Sequence, residues 1–171
     1  MRRTAPVLAL LVVWFFVAPT VWAQKDEAKE HAELAKAMKD GKVSLEKGLA
    51  VSTREGRPIS AKYEMEEGKL QLSVYTAKGD KFSEVIVDHA TGRVAKAEPI
   101  TSGDDLTHAK AQSEAMAKAK RSLNAATAAA VKANKGFRAV SVMPSLKDGH
   151  PVADISLVKG TEWKNVSAKL D

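Results

Sequence analysis

Two stretches of this chain superpose at a step of 81 residues, which carries Ile59 onto Val140, Ala61 onto Val142, Gly68 onto Gly149, Val74 onto Ile155, Gly79 onto Gly160, Phe82 onto Trp163 and Val85 onto Val166. Upstream the step shortens to 78 and takes Met38 to Met116, Ser44 to Ser122 and Leu45 to Leu123. Glycines and apolar positions that recur at one step are the mark of a duplicated unit. A three-residue indel between a helical and a strand region accounts for the two step lengths. The unit spans roughly 65 to 75 residues, about the smallest size that folds without disulfide or metal staples. Any architecture for this chain must therefore be one that can be built twice.

Within the first unit, Leu34 and Met38 share a helical face, Gly41 ends the run, and Ser44 is placed to cap a second helix with the stripe Leu45, Leu49 and Ser52. Gly56 and Pro58 stop it. In the second unit the alanine-rich stretch from Thr107 to Asn134 reads as one long helix closed by Gly136. Three strands then follow in each unit. Ile59, Ala61 and Tyr63 alternate to one side; Glu66-Glu67-Gly68 turns the chain into Leu70, Leu72 and Val74; Lys78-Gly79-Asp80 turns it into Phe82 to Val87. Val140 and Val142, then Ala153, Ile155 and Leu157, then Val166, Ala168 and Leu170 repeat the pattern. The expected fold class is α+β: two tandem helix-plus-antiparallel-sheet (αβββ) units, residues 24–98 and 106–171, joined by a Pro- and Gly-containing linker at 99–105, with the helices covering the apolar face.

Residues 1–23 have a different character. Met1-Arg2-Arg3 precedes the uncharged run from Ala5 to Val17, and Val21-Trp22-Ala23 supplies small residues for a cut, which is the anatomy of a cleavable secretory signal. The run is shorter than the ~18 residues a spanning helix needs, so no stable membrane span is expected after cleavage and the mature protein is expected in the periplasm or outside the cell. Cleavage removes Arg2 and Arg3, so that 27 basic residues become 25 against 21 acidic ones. That mild excess is interspersed with acid, as in Lys25-Asp26-Glu27-Ala28-Lys29-Glu30, and argues against a nucleic-acid partner. The chain has no cysteine, so its core must hold the fold without disulfides.

The sequence carries no recognisable catalytic pattern. Its ten glycines form no phosphate-binding loop, and no Ser sits in a nucleophile elbow. The four histidines make no H-E-x-x-H pair; Asp88-His89 with Asp148-Gly149-His150 is the best case for a metal, and turn residues in water are the simpler account of both. The expectation is a protein that is not an enzyme, with no cofactor and no metal.

One segment carries a family resemblance. Gly56-Arg57-Pro58-Ile59, Glu66-Glu67-Gly68, Leu72-Ser73-Val74-Tyr75, Val85-Ile86-Val87-Asp88 and Thr91-Gly92-Arg93-Val94, following a helix, resemble the PepSY family of bacterial export and cell-envelope domains over about residues 34–97. The ending V-D-x-x-T-G-x-V is its most specific part, and the second unit matches in outline. The resemblance implies a small helix-on-sheet domain, often paired, with a peptidase-inhibiting or regulatory role. A duplicated unit of this kind is also similar to the β-lactamase-inhibitor architecture, in which two units share a broad sheet.

Together these readings lead to an exported, non-enzymatic module that binds a protein, an envelope protein or a peptidase that it restrains. The alternative is an accessory protein that handles a small ligand or metal. Alternation assigns Lys62, Glu64, Ser73, Tyr75, Phe82, Glu84, Ile86, Asn165 and Trp163 to the strand face away from the helices, which is expected to be open. Phe82 and Trp163, with Tyr75 and Ile86 beside them, are its candidate contact residues, since aromatic anchors dominate protein interfaces. The competing account folds the same aromatics over the sheet as core. Asp88, Thr91 and Gly92 are either a recognition turn or a backbone device, in which the two side chains hold amides and Gly92 supplies a positive φ.

Overall fold

A computed structural model describes residues 21–171, with side chains from Ala28 onward. Of the expected signal peptide, all but the last three residues lie outside the described residues. The first half contains α1 (Val21–Ala37), α2 (Leu45–Ser52), β1 (Arg57–Glu66), β2 (Lys69–Lys78), β3 (Lys81–Val87) and β4 (Val94–Ile100). The second contains α3 (Gly103–Lys118), α4 (Leu123–Ala133), β5 (Arg138–Lys147), β6 (His150–Lys159) and β7 (Glu162–Lys169). The fold is α+β, with a seven-stranded antiparallel sheet in the order β4-β3-β2-β1-β5-β6-β7.

The 81-residue step holds strand by strand. β5 and β6 begin and end one step from β1 and β2. A register shift between Pro58 and Ser60 recurs between Ala139 and Ser141. The left-handed turn residues Glu67, Gly68 and Gly79 recur as Asp148, Gly149 and Gly160. β1 and β5 meet at Ala61↔Val142 and Lys62↔Ser141. Ala61 thus faces its own counterpart, and a local two-fold axis passes through that pair.

Ser44 accepts from the Lys47 amide and Ser122 from the Ala125 amide, each at 3.2 Å, capping α2 and α4 alike. The amides just before each cap converge on one carbonyl: Lys42 and Val43 on His89, Lys120 and Arg121 on Leu170. This pull explains why the alanine-rich stretch is two helices and not the single one expected. Ala119 turns extended, at ψ 134°, and Ser122 starts a new helix.

The helices cover both faces of the sheet, a second departure from expectation. α2 and α4 pack on the face of Leu72, Val74, Val85, Val142 and Ile155, all buried. Facing residues here are matched in volume. A methyl group on Gly48 of α2 would stand 2.8 Å from Leu72, and the counterparts of this glycine–leucine pair are Ala126 and Ala153, both buried. α3 crosses the opposite face, where Ser60 Oγ donates to Gln112 Oε1 at 2.7 Å. α1 lies on that same face, with His31 stacked on Trp163 at 4.6 Å. The sheet is the middle of three layers.

Residues 99–105, expected as a linker, are the end of β4 and the start of α3, with only Thr101 and Ser102 between the elements. The first half therefore has four strands, one more than expected. β4 is an edge strand with exposed residues from Ala95 to Pro99, so its alternation is weak in the sequence.

Two arginines one step apart join the halves. Arg57 donates to the Met116 carbonyl at the end of α3. Arg138 donates to the carbonyls of Met38 at 2.7 Å, Gly41 at 2.6 Å and Val43 at 3.1 Å. The Val43 oxygen also accepts from Tyr63 Oη at 2.6 Å, and burial pushes that phenol up to about 12. Arg138→Met strands the Met38 and Gly41 carbonyls in partly buried surroundings, which costs about 2–3 kcal/mol. The expected outcome is a drop in melting temperature of roughly 4 to 12 °C for a chain of this size, measured by calorimetry beside the unsubstituted protein.

Candidate functional site in the strand face and its free edge

The residues assigned by alternation to the second strand face do share it, but the face is not open, because α1 and α3 lie across it. Phe82 is 7% exposed, paired with Ala77 and Ile100 and bordered by Leu106 of α3. Its ring belongs to the core and offers no contact surface. Tyr75 is half-buried; its Oη donates to Glu84 Oε1 at 3.4 Å and Lys62 Nζ stands 5.8 Å from its ring centre. Burial raises the phenol pKa, and the Glu84 carboxylate adds to the rise. Lys62 pairs with Glu64 at 2.5 Å, and Glu64 accepts from Ser73 Oγ at 2.9 Å. These polar groups satisfy one another. Ile86 is half-buried between Ser73 and Lys96.

Trp163 has a different setting from Phe82, its partner under the repeat step. On β3, Phe82, Val85 and Val87 are 7%, 0% and 1% exposed, and β4 pairs along the strand's outer side. On β7 the counterparts Trp163, Val166 and Ala168 are all half-exposed, and among the described residues no strand lies beyond them. An unpaired strand presents a row of backbone donors and acceptors ready to pair with another chain. Exposed Glu162, Lys164, Asn165, Ser167 and Lys169 flank those half-buried side chains, so the edge is polar but not shielded. Residue patterning marks Trp163 but gives no sign that its strand is an edge, since edge position depends on what pairs beside it.

The turn after β3 is held by its own side chains. Asp88 Oδ1 accepts from the amides of Ala90 at 2.9 Å and Thr91 at 2.7 Å, Thr91 Oγ1 accepts from the Arg93 amide at 3.4 Å, and Gly92 has φ 73°. The Thr91 and Ala90 amides hold the exposed Asp88 carboxyl below the usual range. A side chain on Gly92 would be strained by that φ and would meet Val43 at 3.5 Å.

His89 and His150 do not meet. His89 follows the end of β3, beside the end of β1, whereas His150 opens β6 at the opposite end of the sheet. His150 Nδ1 lies 2.9 Å from Asp171 Oδ2. Among the described residues no three His, Asp or Glu side chains are grouped to hold a metal, and no helix is long and apolar enough to cross a membrane. Comparisons with protein-family models, curated proteins and solved structures found no match.

Two outcomes follow from this geometry. Phe82→Ala empties a buried site and costs about 3–5 kcal/mol, whereas Trp163→Ala costs at most about half of that because its ring is partly in water; thermal melts of both variants check the order. The Asp88 carboxyl, followed by NMR, titrates below the ordinary aspartate value of about 3.9. Because the folded pKa is the lower one, its stabilisation is present above the unfolded value and is lost as pH falls through the folded value.

Proposed function

We propose that this chain is an exported, non-enzymatic binding module of two PepSY-like helix-plus-antiparallel-sheet units, and that it captures a partner through the outer edge of β7. The observation that carries this reading is the inequality of the two outer strands. β3 is covered by β4, and its Phe82, Val85 and Val87 are buried; β7 has Trp163, Val166 and Ala168 at the same step and leaves them half in water. β4 itself supplies the template, pairing antiparallel from Phe82↔Ile100 to Val87↔Val94. A partner segment in extended conformation would occupy the equivalent place on β7, with main-chain hydrogen bonds giving affinity and side chains at Trp163, Val166 and Ala168 giving selectivity.

The partner is an envelope protein or peptidase that presents an unpaired strand. The signal-like residues 1–23 support export, and the paired-unit resemblance supports a regulatory contact rather than turnover. Strand addition needs no catalytic group, in keeping with a sequence that carries no catalytic motif.

The test uses a photo-crosslinking residue in cells that export the chain. Placed at Lys164 or Ser167 on β7, it is expected to trap one discrete protein that is not trapped from Lys96 on β4. Trp163 is the one tryptophan after residue 23, so its emission reports on this edge directly. The purified partner should shift that emission to the blue, and Val166→Lys should abolish the shift while the far-UV circular dichroism spectrum stays that of the folded protein. Equal trapping from both edges, or a product made only of two copies of this chain, overturns the reading.

A further inference from the structure

A cavity of about 340 Å³ opens where the end of α2 and the start of β1 face the connection between α3 and α4. Its charged lining is Arg57, Lys120 and Arg121, with no carboxylate, while Leu49, Pro58 and Met116 form an apolar wall. None of the ion pairs among the described residues includes any of the three cations. Three positive groups around one hollow repel one another unless an anion joins them.

The equivalent place in the other half shows why this hollow is open. There the guanidinium of Arg138 is taken up by three carbonyls, those of Met38, Gly41 and Val43. The corresponding carbonyls beside Arg57 are those of Met116, Ala119 and Arg121, and only Met116 accepts from it. A guanidinium has five donors in a fixed fork, so Arg57 keeps donors for a ligand. The repeat step also exchanges Val43 for Arg121, which adds a second guanidinium at the rim; one of its nitrogens donates to the Ala125 carbonyl at 2.9 Å. Leu123 and Asn124, which open α4, line the same hollow, and the first amides of a helix have no partner within it.

We infer that this cavity binds an organic carboxylate with an apolar body, its head held by Arg57, Arg121 and Lys120 and its body against Leu49, Pro58 and Met116. Paired N–H groups of arginine match a carboxylate in both spacing and plane. A bare inorganic anion would leave the apolar wall in water, and a neutral apolar molecule would leave the cations unmet. The volume lies at the lower end of small-molecule pockets, which suits an acid of about six to ten heavy atoms. The same head group occurs on a free acid and at the C-terminus of a peptide. This site lies apart from the β7 edge and does not depend on the strand-addition reading.

The test is a titration of the 15N-labelled protein, residues 24–171, with hexanoate, with hexanamide, with inorganic phosphate, and with the peptide Ala-Ala-Leu as free acid and as amide. Hexanoate is expected to move the amides from Lys120 to Asn124 and the Arg57 side-chain signal, and hexanamide to move neither. Arg121→Gln should weaken binding at least tenfold. Arg57→Gln should do the same, and Arg121→Gln keeps the test valid if loss of the Arg57–Met116 contact disturbs the fold. Lys42→Gln, which removes the lysine one step away from Lys120, should leave binding within twofold. Binding of the peptide acid, but not its amide or hexanoate, assigns the site to a chain terminus and still supports a carboxylate. Equal response to phosphate, equal weakening by Lys42→Gln, or no response to either acid overturns the inference.

Discussion

The join between β1 and β5 is the constraint on which the rest of the structure depends. It is short, with only Ala61↔Val142 and Lys62↔Ser141 in register, whereas β1 and β2 pair along nearly their whole length. Two residue pairs cannot by themselves hold two half-sheets in one plane. The helices supply what the strands lack, because each half sends groups across the seam. Gln112 reaches Ser60, Arg57 reaches Met116, Arg138 reaches the α1–α2 connection, and Asn124 Nδ2 donates to the Glu46 carbonyl at 2.9 Å between α4 and α2. Covering both faces of the sheet is therefore a requirement of the short seam, since helices on one face alone would leave the other side of the join without support.

Much of this architecture is legible in the sequence. Ser44 announces its helix because a capping hydroxyl acts within three residues, whereas its counterpart Ser122 is passed over inside an alanine-rich run; Glu67-Gly68 and Asp148-Gly149 announce their turns because left-handed backbone favours those residues. What is not legible depends on distant contacts. The break at Ala119 is made by the Leu170 carbonyl, some fifty residues away, and no local propensity opposes a helix through Ala-Lys-Arg. β4 escapes notice because an edge strand in water has little reason to alternate. Alternation puts Phe82 and Trp163 on one face correctly, yet cannot tell that α1 and α3 return to cover it. The carboxylate hollow is invisible for the same reason, since Arg57 and Arg121 are brought together only by the crossing of α3 from one half to the other.

Function, on the readings offered above, sits where the two halves differ. Where they agree, as in the caps, the bulges and the convergent amides, the shared groups are structural and saturated. Three of the differences bear on these readings: a fourth strand on one side only, Arg121 in place of Val43, and Ala119 in place of Gly41. Each leaves an unmet capacity, a bare edge in one case and spare guanidinium donors in the other. A repeat protein offers its own control in this way, because each half shows what the other would look like if the site were closed.

The two-fold axis through Ala61 and Val142 has a historical consequence. A single unit that paired with a copy of itself through its first strand would obey the same geometry, with residue 61 meeting residue 61 on the axis. Such an assembly exists only above the concentration at which two chains find each other. Placing both units on one chain, with only Thr101 and Ser102 between β4 and α3, substitutes a tether for that encounter and makes the pairing independent of dilution. It also frees the two copies from having to be identical. In a homodimer a leucine opposite glycine must appear twice, but here Gly48 with Leu72 coexists with Ala126 and Ala153, so each half now fits its own neighbours and could no longer be exchanged for the other.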